Sequence, residues 1–197
     1  MEESAARMND PESGLVELAK GGDDGAFEQL VRLNQASIRR LAAAMLNDAV
    51  EAEDAAQEAF VKAYRKLSGF RGQSRFSSWL YRITINHCKN VIAKRDRWHW
   101  LSLESMREEG IEPPVALNTP EKSARGTEAG ETLSKILAGL PDNYRAILLL
   151  REMKGLSYLE ISKELVISVD GVKSRLRRAH AAAVEKLRHI QQRTSVK

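Results

Sequence analysis

Apolar residues return every three or four positions along almost the whole of this 197-residue chain. That interval lines side chains up on one face of an α-helix. Leu15, Leu18 and Ala19 begin the pattern, and Phe27, Leu30 and Val31 resume it after the break "GGDDG". Ile38, Leu41 and Met45 follow, then Ala52, Ala56, Phe60, Tyr64 and Leu67. Beyond the loop "SGFRGQS", the spacing predicts that Phe76, Leu80, Ile83, His87 and Val91 run down one face of a further helix. The two-residue alternation of a half-buried strand is nearly absent. The expectation is an all-α chain whose first part packs as a compact helical domain.

The periodicity fails over residues 101–131. Pro113, Pro114 and Pro120 fall there among a surplus of acids, which predicts an extended acidic linker between two folded parts. Helical spacing resumes from Thr132, and "LPDNYRAILLLREMKGLSYLEISKELVISVDGVKSRLRRAHAAAVEKL" has the form of a helix–turn–helix. Gly155 ends one helix; Ser157 caps the next, with Glu160 three residues on completing a capping box. Ile161 and Leu165 bury that short helix, "VISVD" turns the chain, and Val172, Leu176, Ala179 and Val184 line the inner face of the last helix. Lys173, Arg175, Arg177 and Arg178 then fall mostly outward. A basic helix after a tight turn suits the major groove of duplex DNA, and its first amides can meet a phosphate. The alternative is a helical hairpin with a solvated basic face.

Charge is distributed unevenly. The formal net charge is only +4, yet residues 10–58 hold eleven acids against four bases, and residues 62–97 hold ten bases with Asp96 the one acid. Such a reversal offers different surfaces to different partners. The basic segment includes "FRGQSRFSSWLYRITINHCKN", residues 70–90, where aromatic, cationic and amide side chains are interleaved. Flat rings stack on unpaired bases while cations follow phosphates. Gly72 gives the loop over 69–74 the backbone freedom to wrap a splayed base. Trp79 and Tyr81 suit a small core equally well.

Other chemistries find no support in the sequence. Cys88 is the single cysteine, which rules out an internal disulfide and points to a reducing cytoplasm. The start "MEESAARMNDPES" has no basic leader before an apolar segment, and no apolar run approaches the roughly 20 residues of a membrane span. His87 and Cys88 are adjacent and point to different helix faces, so they make no metal pair. There is no glycine-rich phosphate loop and no carboxylate dyad beside a histidine. The expectation is a chain with no catalysis, cofactor, metal or small-molecule substrate, and no direct membrane insertion.

Three stretches, "DAAQEAFVKAYRKLSGFRGQSRFSSWLYRITINHCKN", "LPDNYRAILLLREMKGLSYLEISKEL" and "VKSRLRRAH", together resemble the extracytoplasmic-function (group 4) class of bacterial RNA polymerase sigma factors. The resemblance covers residues 13–97 and 132–190, leaving a disordered N-terminus over 1–12, a linker over 98–131 and a tail over 191–197. It implies a region 2 bundle that binds the clamp of core RNA polymerase through Asp54, Gln57, Glu58 and Phe60. The same bundle would melt promoter DNA at the −10 element and hold its exposed strand with Phe70, Arg71, Ser74, Arg75, Trp79, Asn86, Lys89 and Asn90. A region 4 helix–turn–helix at the polymerase flap would read the −35 duplex through Ser168, Lys173, Ser174, Arg175, Arg177 and Arg178. The linker would thread the polymerase cleft, and an anti-sigma factor would hold the chain idle until a stress or envelope signal. Two departures stand out. Such turns often read glycine–threonine–valine, whereas "DGV" stands here, with Asp170 expected to cap the last helix. "WHW" at 98–100 has no counterpart; packing that closes the first domain is the expectation, a regulator's docking surface the alternative. A different reading of the whole is a stand-alone dimeric helix–turn–helix regulator bound to an operator.

Overall fold

Two aspartates start the second and third helices. Asp23 accepts from the Ala26 amide at 3.0 Å and Asp48 from the Glu51 amide at 2.8 Å, each satisfying a donor that the first turn leaves open. The computed structural model describes residues 12–108 and 128–194, with the side chains of 99–108 and 193–194 outside that description. Its elements are α1 (Ser13–Lys20), α2 (Asp24–Leu46), α3 (Ala49–Lys66), a 3₁₀ turn (Leu67–Gly69) and α4 (Phe76–Glu108). They continue with α5 (Glu128–Ala138), α6 (Asp142–Leu148), a π-helical turn (Leu149–Met153), α7 (Tyr158–Leu165) and α8 (Val169–Thr194). The all-α expectation is met, as two helical units, α1–α4 and α5–α8.

In the first unit, α2 packs against α1, α3 and α4. The buried side of α3 is Ala52, Ala55, Ala56, Ala59 and Ala63. This corrects the predicted stripe, because Tyr64 is exposed and Phe60 only half-buried. Alanine is a weak hydrophobic signal in a sequence but lets neighbouring helices come close. Tyr64 instead donates to Asp24 Oδ1 at 2.6 Å and meets the Phe27 ring edge-on. On α4 the buried set is Phe76, Ser78, Trp79, Leu80, Thr84, Ile85, Cys88 and Ile92, rotated from the predicted Ile83–His87–Val91 line. The reason is that α4 is covered twice, by the helices before it and by α7 behind it. Thr84 is tolerated inside because its hydroxyl donates to the Leu80 carbonyl at 2.9 Å.

The helix–turn–helix forms as its caps predict. The Glu160 amide donates to Ser157 Oγ, the Ser157 amide donates back to Glu160 Oε2 at 2.8 Å, and Gly155 takes a φ of +66°. Val172, Leu176 and Ala179 are buried, but Val184 is exposed, so the inner stripe of α8 is shorter than expected. Asp170 does not cap that helix. Ser168 does, accepting from the Gly171 amide at 3.0 Å, which places Asp170 inside the first turn. A Cβ at Gly171 would stand 3.1 Å from that same Ser168 oxygen, a tight contact to which the capping hydroxyl would have to yield by a few tenths of an ångström.

Three further expectations change. The predicted linker over 98–131 overlaps helix at both ends, since α4 runs on to Glu108 and α5 begins at Glu128; its middle, 109–127, lies outside the described residues. Trp98 is 65% exposed and does not pack to close the first unit. Glu12, expected in a disordered terminus, is buried and accepts from Asn34 Nδ2 at 2.5 Å.

The two units also touch. One apolar cluster, with Leu30, Ile38, Phe76 and Leu80 at its centre, lies wholly within the first. The other joins Leu41, Met45, Ile85, Cys88 and Ile92 of the first unit to Ile147, Leu150, Ile161 and Val172 of the second. Arg145 braces this seam from inside: it donates to the carbonyls of Leu137, Ala138 and Leu140 in its own unit, and to that of Met45 across it.

Candidate nucleic-acid interface

The loop between the 3₁₀ turn and α4 is pegged at both ends by rings. Phe70, before it, lies 4.9 Å from Trp79 and meets Phe76 edge-on at 6.2 Å; Phe76 and Trp79 are 5.7 Å apart. All three are buried, so Phe70 and Trp79 form the floor of the site rather than free stacking faces. With its ends fixed, the loop lifts Arg71, Gly72, Gln73 and Arg75 into solvent, Gly72 at a φ of +64°. Ser74 is half-buried. Beside the loop opens a cavity of about 330 Å³ lined by Phe70, Arg71, Ser74, Trp79 and Arg82, and by Lys163 and Glu164 of α7.

Along α4, Arg82, Asn86 and Asn90 follow one another at four-residue intervals and make one row. Asn86 and Asn90 are exposed. Lys89, beside them, is half-buried and donates to Asn143 Oδ1 at 2.6 Å; burial first, then the positive charge of Arg175, holds its ammonium below the usual lysine range. His87 is half-buried against Lys62, and burial followed by that ammonium lowers its pKa. Cys88 is fully buried, its thiol pushed up to about 12 by desolvation.

On the helix–turn–helix, Lys173, Arg177 and Arg178 are exposed, while Ser174 and Arg175 are half-buried. Lys173 pairs with Asp170 at 3.1 Å on the exposed surface. Ser168 is engaged as the helix cap. Val166 ends α7 in the left-handed region at φ +53°, and the turn closes as Ser162 Oγ donates to the Ile167 carbonyl at 2.8 Å.

On α3, Asp54, Gln57 and Glu58 are exposed, whereas Phe60 turns half inward to the first unit's core. Val50 and Val61 are exposed on the same helical face as the three polar residues. The sequence reading passed over them, although their offsets of four, seven, eight and eleven from position 50 carried the signal. It also left out Arg82, Lys163 and Glu164, whose meeting depends on contacts between distant segments.

The comparisons with known proteins agree with this layout. Residues 30–98 match the family described as Sigma-70 region 2, and residues 130–182 match Sigma-70, region 4. The RNA polymerase sigma-H factor of Pseudomonas aeruginosa is 40% identical over 172 residues, covering 85% of this chain and 89% of that protein. The ECF RNA polymerase sigma factor SigW of Bacillus subtilis is 34% identical over 179 residues, covering 89% and 96%. Among solved structures, the sigma factor RpoE in complex with the anti-sigma factor NepR from Bartonella quintana matches with a TM-score of 0.62 at 24% identity, covering 82% of this chain and 96% of that one. That last likeness speaks for the fold.

Proposed function

The chain belongs to the extracytoplasmic-function sigma factors of bacterial RNA polymerase, and from that premise we propose how its surfaces divide the work. As a sigma factor it directs RNA polymerase to promoters and carries out no catalysis of its own. Residues 13–97 bind the polymerase clamp and open the −10 element, residues 132–190 read the −35 element beside the flap, and residues 98–131 connect them through the cleft. The work is done in the cytoplasm, where polymerase and promoter meet.

The observation that carries the reading is the pegged loop. Buried rings hold its ends, so Arg71 and Ser74 line a cavity, Arg75 stands exposed at the end of the loop, and the row of Asn86 and Asn90 follows on the helix it leads into. Cations serve the phosphates, and amides with hydroxyls read base edges. On α8 the exposed Lys173, Arg177 and Arg178 face a duplex, with Ser168 and Ser174 for phosphate or base contacts and Arg175 at the seam side. Asp54, Gln57 and Glu58, flanked by Val50 and Val61, give polymerase an acidic face with apolar anchors, and Phe60 stiffens it from within. The printed partnership of the Bartonella quintana sigma factor with NepR supports an anti-sigma partner here too.

Transcription in vitro with purified core enzyme tests the assignment. Asn86→Ala should reduce open-complex formation about tenfold, the worth of roughly one base contact, while sparing −35 duplex binding. Arg175→Ala should do the reverse. Asp54→Arg should weaken core association and leave helical content intact. Equal losses at both elements, or unchanged core affinity, would overturn the division.

A further inference from the structure

We propose that Lys154 is an acylation site, its side-chain nitrogen taking an acyl group from an acyl phosphate whose phosphate docks on Arg40. None of the residues involved belongs to the DNA or polymerase sets, so this chemistry is independent of how the chain meets a promoter.

Lys154, just past the π-helical turn, is half-buried and reaches across to α2. Its Nζ lies 3.0 Å from the Ser37 carbonyl oxygen and 2.5 Å from Ser37 Oγ, and 4.8 Å from the centre of the Tyr81 ring on α4. The Tyr81 hydroxyl is in turn 3.3 Å from Ser37 Oγ, which fixes that oxygen. A neutral amine has two N–H bonds. Donated to the two Ser37 oxygens, they leave its lone pair turned away from both, held in one direction for attack.

Such a nitrogen reacts only once its proton is lost, and the surroundings favour that loss. Lys20, Lys62 and Lys173 each stand beside a carboxylate, which keeps them charged. Among the described residues no carboxylate pairs with Lys154, and burial first, then the cation of Arg40, brings its pKa to about 8. About half of it is therefore free amine at pH 8, against under about 1% of an ordinary lysine. Arg40 is exposed, three residues on from Ser37 and so on the same side of α2, and among the described residues it too has no carboxylate partner. A free guanidinium suits a phosphate. In the step, the Nζ lone pair forms a bond to the acyl carbon while the bond from that carbon to the phosphate oxygen breaks. The phosphate leaves with that electron pair, and the proton shed by nitrogen ends on it as hydrogen phosphate. The resulting amide has no charge and a single N–H, so one of the two Ser37 contacts is given up.

The test incubates the folded full-length chain with acetyl phosphate and follows each lysine by peptide mass spectrometry. At pH 8 Lys154 should be acetylated about tenfold faster than the exposed Lys66 and Lys94, its larger share of free amine being partly offset by burial and lower basicity. Its rate should level off above about pH 9, where theirs still climb. In urea the advantage should vanish, since the fold creates it. Uncharged p-nitrophenyl acetate, which has no phosphate to dock, supplies the second arm. Arg40→Gln should lower the ratio of the acetyl phosphate rate to the p-nitrophenyl acetate rate at Lys154 about threefold. Taking the ratio cancels any change in the lysine's own pKa, and Arg40 is exposed, so the exchange leaves the core untouched. Acetylation of Lys154 no faster than that of Lys66 and Lys94, a rate that climbs in step with theirs, or an advantage that survives urea would overturn the site. An unchanged ratio in Arg40→Gln would overturn the docking of the phosphate.

Discussion

In the first four helices the large apolar side chains close on one another, with Leu30, Ile38, Phe76 and Leu80 surrounded by their own unit. In the last four, Ile147, Leu150, Ile161 and Val172 complete their burial against Leu41, Met45 and Ile85 of the first. One unit has a private core and the other shares one. This teaches how a tethered DNA reader can be stable at rest yet detachable. The shared seam lowers the free energy of the docked second unit, while the first loses little of its centre when the seam parts.

The largest expected effect breaks the private core. Phe76 is 1% exposed and joins Phe70 and Trp79, so Phe76→Ala should cost about 3–5 kcal/mol. Because the second unit leans on the first, both should lose protection together in native-state hydrogen exchange. A second unit that stayed protected would show that it needs no neighbour.

Arg145→Ala asks the converse. Its guanidinium serves the carbonyls of Leu137 at 2.7 Å, Leu140 at 3.0 Å and Ala138 at 3.1 Å, besides Met45 across the seam. Removing it strands buried acceptors, with an expected cost of about 2–4 kcal/mol. Here α5–α8 should lose protection while α1–α3 keep theirs. Equal loss in both units would mean that the first core is not private after all.

These cores were only partly legible in the sequence. Periodicity gave the helices, and local hydrogen-bond logic gave Ser157–Glu160 and Gly155, because capping depends on neighbours within four residues. The α3 stripe was misread because five alanines carry little hydrophobic signal, though they permit close helix approach. The α4 face was misread because a helix covered on two sides has no single stripe, and helix past Trp98 was hidden by the acidic composition that follows. For the candidate site, the mix of rings and cations in residues 70–90 was visible. What no local pattern encodes is that Phe70 and Trp79 point down, or that Glu164 meets Arg82, pairs settled by tertiary contact.

A smaller and local effect belongs to the cap of α7. Ser157→Ala removes the acceptor of the Glu160 amide and should cost about 1 kcal/mol. Since α7 carries Lys163 and Glu164, thermal melts of the second unit should move before any change appears in the first. A shift shared equally by both units would tie α7 to the private core instead.

The smallest effect concerns pH and Lys154. Burial first, then the nearby positive charge of Arg40, lowers its ammonium pKa to about 8, although the Tyr81 ring favours the charged form. Once the seam opens, the side chain returns towards the ordinary lysine value of about 10.4. Between those values the open state binds more protons, so docking strengthens as pH rises from about 8 and is flat below it. The gain is less than about 1 kcal/mol, because the group is partly solvated and screened. Cys88 acts oppositely: its thiol titrates near 8.5 when freed and about 12 when buried, so burial is lost progressively above the lower value. Scattering across this range should show a chain that tightens slightly just above pH 8 and stops tightening as the thiol begins to ionise in the open form. Lys154→Met should abolish the rise, whereas Cys88→Ala should extend it. A wild-type chain that loosens between pH 7 and 8 would assign control of the seam to another group.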